Sequence, residues 1–156
     1  MRGLLLVGLA ALALAGCSSQ SDANPAPVKL DDLNLTPYVG KPCSLLDADQ
    51  LADLHIAKAE VDGIQTSEVG TCVLTLSPTT SGTLRAAVDR PKSTVTFTMK
   101  IAGYPAAEGA RDNGCGVAVS VSDTRQISVS VGGVNACHLA ENVATSAIAT
   151  IKRLSP

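Results

Sequence analysis

Residues 114–133 read GCGVAVSVSDTRQISVSVGG, and they carry the clearest structural pattern in the chain. On either side of Asp123-Thr124-Arg125, apolar residues alternate with small or polar ones, which is the period-two pattern of strands with one apolar face. The central polar residues supply turn chemistry. The sequence therefore predicts a β-hairpin whose apolar face is formed by Cys115, Val117, Val119, Val121, Ile127, Val129 and Val131.

Upstream of the hairpin, the same alternation predicts three more strands, over residues 72–76, 83–88 and 95–101. They are separated by Ser-Pro-Thr-Thr-Ser-Gly and Asp-Arg-Pro-Lys, which are typical of turns. A further strand is expected around residues 60–64. Residues 103–114 contain Gly, Pro and Asp-Asn-Gly, and we expect them to form the longest loop.

Helical patterns occur at both ends of the domain. Asp47 is followed three residues later by Gln50, a capping-box variant that predicts a short helix over residues 48–54. In the last segment, Asn135 is a candidate N-cap and the final turn is basic, which suits the helix dipole. One stripe of this second helix holds Cys137, Ala140, Ala144, Ala147, Ile148, Ile151 and Leu154.

These elements predict the fold class α+β. We expect an antiparallel sheet of about five strands, with a short N-terminal helix and a C-terminal helix packed on one face and two disulfides. The outer face of the sheet, rich in Thr and Ser, is expected to meet water.

The chain begins with the features of a secretory signal peptide. Arg2 precedes an apolar run from Leu4 to Ala15 that only Gly8 interrupts. A run of about a dozen residues fits a signal peptide, whereas a bilayer span needs roughly 20. The sequence therefore predicts a signal peptide over residues 1–16.

The end of this segment, Leu14-Ala15-Gly16-Cys17, resembles the lipobox of bacterial lipoproteins. The resemblance implies that the Cys17 thiol receives diacylglycerol and that cleavage then leaves Cys17 as the first residue. The alternative is an ordinary signal peptide with an incidental cysteine. Because two or three acyl chains on one residue hold a protein on a membrane, the resemblance places the chain on the extracytoplasmic face of the cell membrane.

The remaining chain divides into two parts. Residues 17–40 are expected to be the lipidated Cys17 and a flexible tether, because the segment opens with small polar residues without periodicity. Residues 41–156 are expected to form a single disulfide-stapled domain of about 115 residues.

The four cysteines beyond Cys17 are expected to form two disulfides, because an even number in an exported chain indicates oxidised pairs. An antiparallel hairpin places Val131 beside Cys115, and a short segment then returns Cys137 over the same face. We therefore predict the pairs Cys115–Cys137 and Cys43–Cys72. The alternative, a metal site or a redox pair, lacks a Cys-x-x-Cys motif and zinc-finger histidine spacing.

Charge and composition exclude some partners. The formal net charge is −2 at pH 7 and Arg2 belongs to the signal peptide, so the exported part is more acidic still. Nucleic acid is an improbable partner, since its binding depends on clustered Lys and Arg. Tyr38, Phe97 and Tyr104 are the only aromatic residues, which disfavours stacking on sugars.

The sequence offers no catalytic residue, metal ligand or cofactor motif. His55 follows the first helix and His138 lies in the first turn of the second, and both are interpreted as structural or surface residues. A Gly-x-Ser-x-Gly elbow is missing from the sequence. Asp31-Asp32 and the pair Asp47 and Asp49 are interpreted as tether and capping residues rather than as paired acids.

Several motifs of the chain occur together: the lipobox, Pro42-Cys43-Ser44-Leu45-Leu46-Asp47, Gly70-Thr71-Cys72, Gly114-Cys115-Gly116-Val117 and Ala136-Cys137. Taken together, they resemble the actinobacterial lipoproteins grouped as domain of unknown function 3558, over most of residues 41–154. One departure is Leu74, where members often carry Trp. The resemblance implies a cell-envelope protein of mycobacteria or their relatives with no assigned reaction.

The sequence thus predicts a membrane-anchored, non-enzymatic binding or accessory module that docks to another envelope component. A second hypothesis is a carrier of a small hydrophobic ligand or lipid, which needs a cavity of about 300 Å³ or more between sheet and helix. The third is an envelope enzyme that uses His55 or His138.

Overall fold

The computed structural model of the 156-residue chain describes residues 30–78, 80–88, 96–111 and 113–155. The expected signal peptide, Cys17 and the first part of the expected tether lie outside the described residues. So do Val95, at the start of one expected strand, and the Asp-Arg-Pro-Lys turn.

The structure confirms a mixed α and β fold with one antiparallel sheet, but the sheet has seven strands rather than about five. Their spatial order is β1-β2-β3-β7-β6-β5-β4, so the strands near the C-terminus lie in the middle. The strands are β1 (Lys58–Val61), β2 (Val69–Ser77), β3 (Thr80–Ala87), β4 (Met99–Ile101), β5 (Tyr104–Arg111), β6 (Gly114–Ser120) and β7 (Gln126–Gly132).

The hairpin expected over residues 114–133 is formed by β6 and β7, in the expected register. Cys115 lies opposite Val131 and Val119 lies opposite Ile127, so the alternating apolar side chains share one buried face. Strand β7 also pairs with β3, which places the hairpin at the centre of the sheet.

The prediction of a long loop at residues 103–114 was wrong. Most of that segment is β5, which pairs with β6 from Ala106 opposite Val119 to Arg111 opposite Gly114. The segment is rich in Ala and Gly, which have weak strand propensity, and it is the partner strand that supplies its hydrogen bonds. Two other expected strands have different bounds. The strand expected around residues 60–64 is β1 at Lys58–Val61, and the strand expected over residues 95–101 is β4 at Met99–Ile101.

The C-terminal helix packs on one face of the sheet, as expected, whereas the expected N-terminal helix contacts that C-terminal helix through Gln50, whose side chain bonds to Ser146 and Thr150. The helices are α1 (Thr36–Val39), α2 (Ala48–Asp53) and α3 (Ala136–Leu154), with a 3₁₀ turn at Pro42–Leu45. The capping box of α2 is confirmed, since the Gln50 backbone N–H donates to the Asp47 carboxylate and the Asp47 N–H donates to the Gln50 side chain, both at 2.9 Å.

Two details of α3 differ from expectation. Asn135 precedes the helix with φ at 58° and makes no side-chain cap bond. A capping side chain normally acts from extended backbone, and the left-handed conformation removes that geometry. Leu154, expected on the buried stripe, is 62% exposed because it is the last residue of the helix.

The folded domain begins before residue 41, so the expected tether was drawn too long. Leu33, Leu35, Tyr38 and Val39 are all buried in the core, and the Leu33 N–H donates to the Val121 carbonyl at 3.2 Å. These apolar residues bury enough surface to order the segment. They also close the inner face of the sheet beside the 3₁₀ turn.

The core between α3 and the sheet is filled by small and branched side chains. Ala140, Val143, Ala144 and Ala147 on the helix have no exposed surface, and neither do Val119 and Ile127 on the strands. Alanines let the helix approach the sheet closely. The helix and sheet are therefore in direct contact along this interface.

Candidate functional site

The structure contains the two disulfides expected from the sequence. Cys43–Cys72 joins the 3₁₀ turn to β2, with 5.0 Å between the Cα atoms, and Cys115–Cys137 joins β6 to the first turn of α3, with 4.9 Å. Each bridge therefore fastens a helical segment to the inner face of the sheet. Cys72 and Cys115 are buried in the core.

Glu108 lies beside the second disulfide. Its carboxylate and the sulfurs of Cys115 and Cys137 are within 4.8 Å of one another, the one such cluster of possible metal ligands in the described parts of the chain. Because the two sulfurs are bonded to each other, neither is a thiolate. Metal binding by cysteine requires the thiolate, so the cluster does not fit a metal centre in this state.

His55 ends α2 in a Schellman motif. Its φ is 55°, its N–H donates to the Ala52 carbonyl at 3.0 Å, and the Ile56 N–H donates to the Leu51 carbonyl at 2.8 Å. These bonds satisfy carbonyls at the helix end. The ring is exposed, so the structure places His55 at a helix terminus, as the sequence indicated.

His138 lies exposed in the first turn of α3, where its Nδ1 is 3.2 Å from the Asn142 side-chain amide. Within the described ranges, neither histidine has a hydrogen bond to a hydroxyl or a carboxylate. Activation of a nucleophile needs such a contact. Among the described residues, the structure therefore brings together no nucleophile and base around either ring.

Asp47 holds two elements together. Its carboxylate caps α2 and accepts a 2.7 Å hydrogen bond from Arg153 near the end of α3. Hydrogen bonding to Arg153, and secondarily to the Gln50 N–H, lowers the pKa of Asp47 below its usual 3.8. Asp49 lies in the first turn of α2. These two acids do not form a carboxylate pair with a shared site.

Asp31 and Asp32 lie near Tyr104, whose hydroxyl donates to the Asp31 backbone carbonyl at 2.8 Å. Burial, followed by the negative charges of Asp31 and Asp32, raises the pKa of Tyr104 above 10.0. The Lys152 ammonium lies 4.9 Å from the centre of the same ring. This arrangement fastens the start of the domain to the end of α3.

The outer face of the sheet is the side opposite α3 and is the strongest candidate for a binding surface. A concavity of about 440 Å³ lies on it across β3, β7, β6 and β5. The side chains that face it are short, apart from that of Arg85. They are Thr83 and Arg85 on β3, Ser128 and Ser130 on β7, Gly116 and Ala118 on β6, and Ala107 and Gly109 on β5.

A second concavity, of about 740 Å³, lies at the end of the sheet beside the first turn of α3. It is lined by small and polar residues, including Gly132, Gly133 and Asn135, together with the 94% exposed Val134. No charged residue lines it among those described. The outer-face concavity therefore carries more recognition chemistry.

Sequence reasoning recognised the Thr- and Ser-rich outer face but missed its concavity. The missing information was β5, because Gly109 meets Gly116 only when residues 104–111 are a strand. The alternating small residues of β6 were the available signal. Without the neighbouring strand, that signal indicated only a solvated surface.

No helix in the described ranges combines the length and apolar character that a bilayer crossing requires. A family model described as a protein of unknown function, DUF3558, matches residues 12–150. No curated protein and no solved structure matches the chain.

Proposed function

This chain belongs to the DUF3558 family of proteins of unknown function, and we propose that it is a lipoprotein anchored on the extracytoplasmic face of an actinobacterial cell membrane. In this proposal, lipid on Cys17 holds the chain at the membrane, and the folded domain binds another envelope component without catalysing a reaction.

The observation that carries the proposal is Leu14-Ala15-Gly16-Cys17, placed between an apolar segment and a disulfide-stapled domain. The family match begins at residue 12 and so includes these four residues. Both disulfides suit an oxidising compartment outside the cytoplasm. A lipidated cysteine followed by a short linker then presents the domain close to the membrane.

Binding is favoured over catalysis by the described side chains. His55 and His138 are exposed at helix ends, and Asp47 is engaged with Arg153. The outer-face concavity is open to solvent and is lined by Arg85 and several hydroxyl side chains, whereas the larger concavity beside α3 has no charged lining residue among those described. We therefore assign the domain to binding, with that face as its recognition surface.

Tight packing argues against the carrier hypothesis. A carrier needs a ligand cavity between α3 and the sheet. The helix residues that face the sheet, including Ala140, Ala144 and Ala147, have no exposed surface and leave no water-sized gap beside them. A ligand held on the open face fits the packing better.

Metabolic labelling tests the anchor. We expect cells fed a clickable palmitate analogue to label the wild-type chain, which should fractionate with membranes. Cys17→Ser should abolish the label and leave an uncleaved precursor, whereas the matched control Ser18→Ala should behave as wild type. An unlabelled wild-type chain recovered in the soluble fraction would refute the anchor.

A further inference from the structure

The outer face carries a cation at the centre of the sheet. Arg85 lies on β3, which is flanked by β2 and β7, and its side chain is exposed. Within the described ranges, its guanidinium makes no hydrogen bond or ion pair. Arg125 and Arg153, by contrast, bond to Leu33 and Asp47. Arg85 is therefore available to an external anion.

Hydroxyl groups lie next to this guanidinium. Ser128 is directly opposite Arg85 across the β3–β7 ladder, and Ser130 is opposite Thr83. Directly opposed side chains have Cβ atoms about 4.5–5.5 Å apart. The three hydroxyl residues are partly buried, and no described residue hydrogen-bonds to their side chains. One guanidinium and three hydroxyls thus converge on one patch with free donors.

Small residues leave the space above this patch open. On β6, Ala118 is opposite Ser128 and Gly116 is opposite Ser130. On β5, Gly109 is opposite Gly116. A Cβ atom added at Gly109 would meet nothing within 4 Å. The concavity of about 440 Å³ has room for a small solute or for part of a larger one. Long side chains that would cover a solvated sheet are missing from these positions.

Glu108 is the one acidic residue that lines the concavity among the described residues, and it does not compete for Arg85. Glu108 is opposite Val117, whose side chain is buried in the core, so its side chain leaves the sheet on the inner side. Its carboxylate lies beside the Cys115–Cys137 disulfide. The patch on the outer side is therefore net positive among the described residues.

We propose that the outer face binds a solute through an oxyanion, a carboxylate or a phosphate group. Arg85 binds two of its oxygens, because a guanidinium presents a planar pair of donors that matches these groups. The hydroxyls of Ser128, Ser130 and Thr83 donate to its other oxygens. This inference rests on the binding role in the proposed function, but it does not depend on the lipid anchor.

Isothermal titration calorimetry tests the site. The sample is the full chain in the form in which cells make it, and the buffer is low in salt. The probes are inorganic phosphate and succinate, which separate the two oxyanion classes. We expect one-to-one binding of at least one probe. Arg85→Gln should weaken it about tenfold or more, since a charge-assisted hydrogen bond is lost. Gly109→Val should also weaken it by filling the concavity.

Arg153→Gln is the matched control, because it removes the same charge on the other side of the sheet and should leave binding unchanged. Circular dichroism confirms that each variant is folded. The proposal fails if neither probe binds, or if Arg85→Gln and Arg153→Gln bind alike. An acylated chain that binds no probe contradicts only this inference, whereas an unacylated chain that binds contradicts only the anchor.

Discussion

Among single residues, His55 has a backbone conformation that is unfavourable for a residue with a Cβ atom, although the Schellman motif that it forms stabilises the end of α2. It occupies the left-handed position of the Schellman motif that ends α2, with φ at 55°. Residues with a Cβ lose about 1–2 kcal/mol in that conformation, and glycine avoids the loss. The sequence placed His55 at the helix end but gave no sign of its positive φ.

We expect His55→Gly to stabilise the domain by about 0.5–1 kcal/mol, because relief of the left-handed backbone exceeds the added entropy of glycine in the unfolded chain. Urea denaturation gives the free energy of unfolding. His138→Gly is the control and should lose up to about 1 kcal/mol, since it puts glycine in the first turn of α3, where no left-handed backbone is relieved. A loss in both variants would show that His55 contributes through its ring.

Asp47 makes stability depend on pH in a defined direction. Its pKa in the folded chain is below the usual 3.8, so its contribution is complete above that value and is lost as the pH falls through the lower folded value. We expect Asp47→Asn to lower the melting temperature at pH 7. The difference from wild type should shrink in melts well below pH 3.8. An unchanged difference in acid would contradict the ion pair with Arg153.

Among the strands and helices, those with a regular spacing of apolar residues could be predicted from the sequence. The β6–β7 hairpin, α2 and α3 follow patterns of apolar residues and caps, and all three are present. Strand β5 was missed because Ala, Gly and Pro give it little intrinsic preference, and its pairing with β6 is a tertiary effect. Segment 33–39 was missed because its apolar residues are interspersed with polar ones.

The docking of α1 on the sheet depends on Gly70. A Cβ atom at this position would lie 2.1 Å from the Val39 carbonyl oxygen. We expect Gly70→Ala to destabilise the domain by about 2 kcal/mol or more, as overpacking does. Gly109→Ala, in an open strand position, should change stability by no more than about 0.5 kcal/mol. Equal effects in a denaturation series would mean that α1 does not dock there.

At the scale of the whole molecule, the two faces of the sheet are used differently. The inner face is closed by α3, by the segment that contains α1 and by both disulfides, and it supplies the core. The outer face keeps Arg85 and three hydroxyls around a shallow space. The candidate site could not be predicted from the sequence, because it combines residues of four strands whose order needs tertiary pairing.

The proposed lipid anchor and the two disulfides imply the same extracytoplasmic compartment, so one measurement can check both. It is the intact mass of the chain purified from its native membranes. We expect a chain that begins at Cys17, carries diacylglycerol on that cysteine and has both disulfides closed. A chain that retains residues 1–16 with an unmodified Cys17 and reduced cysteines would contradict the account.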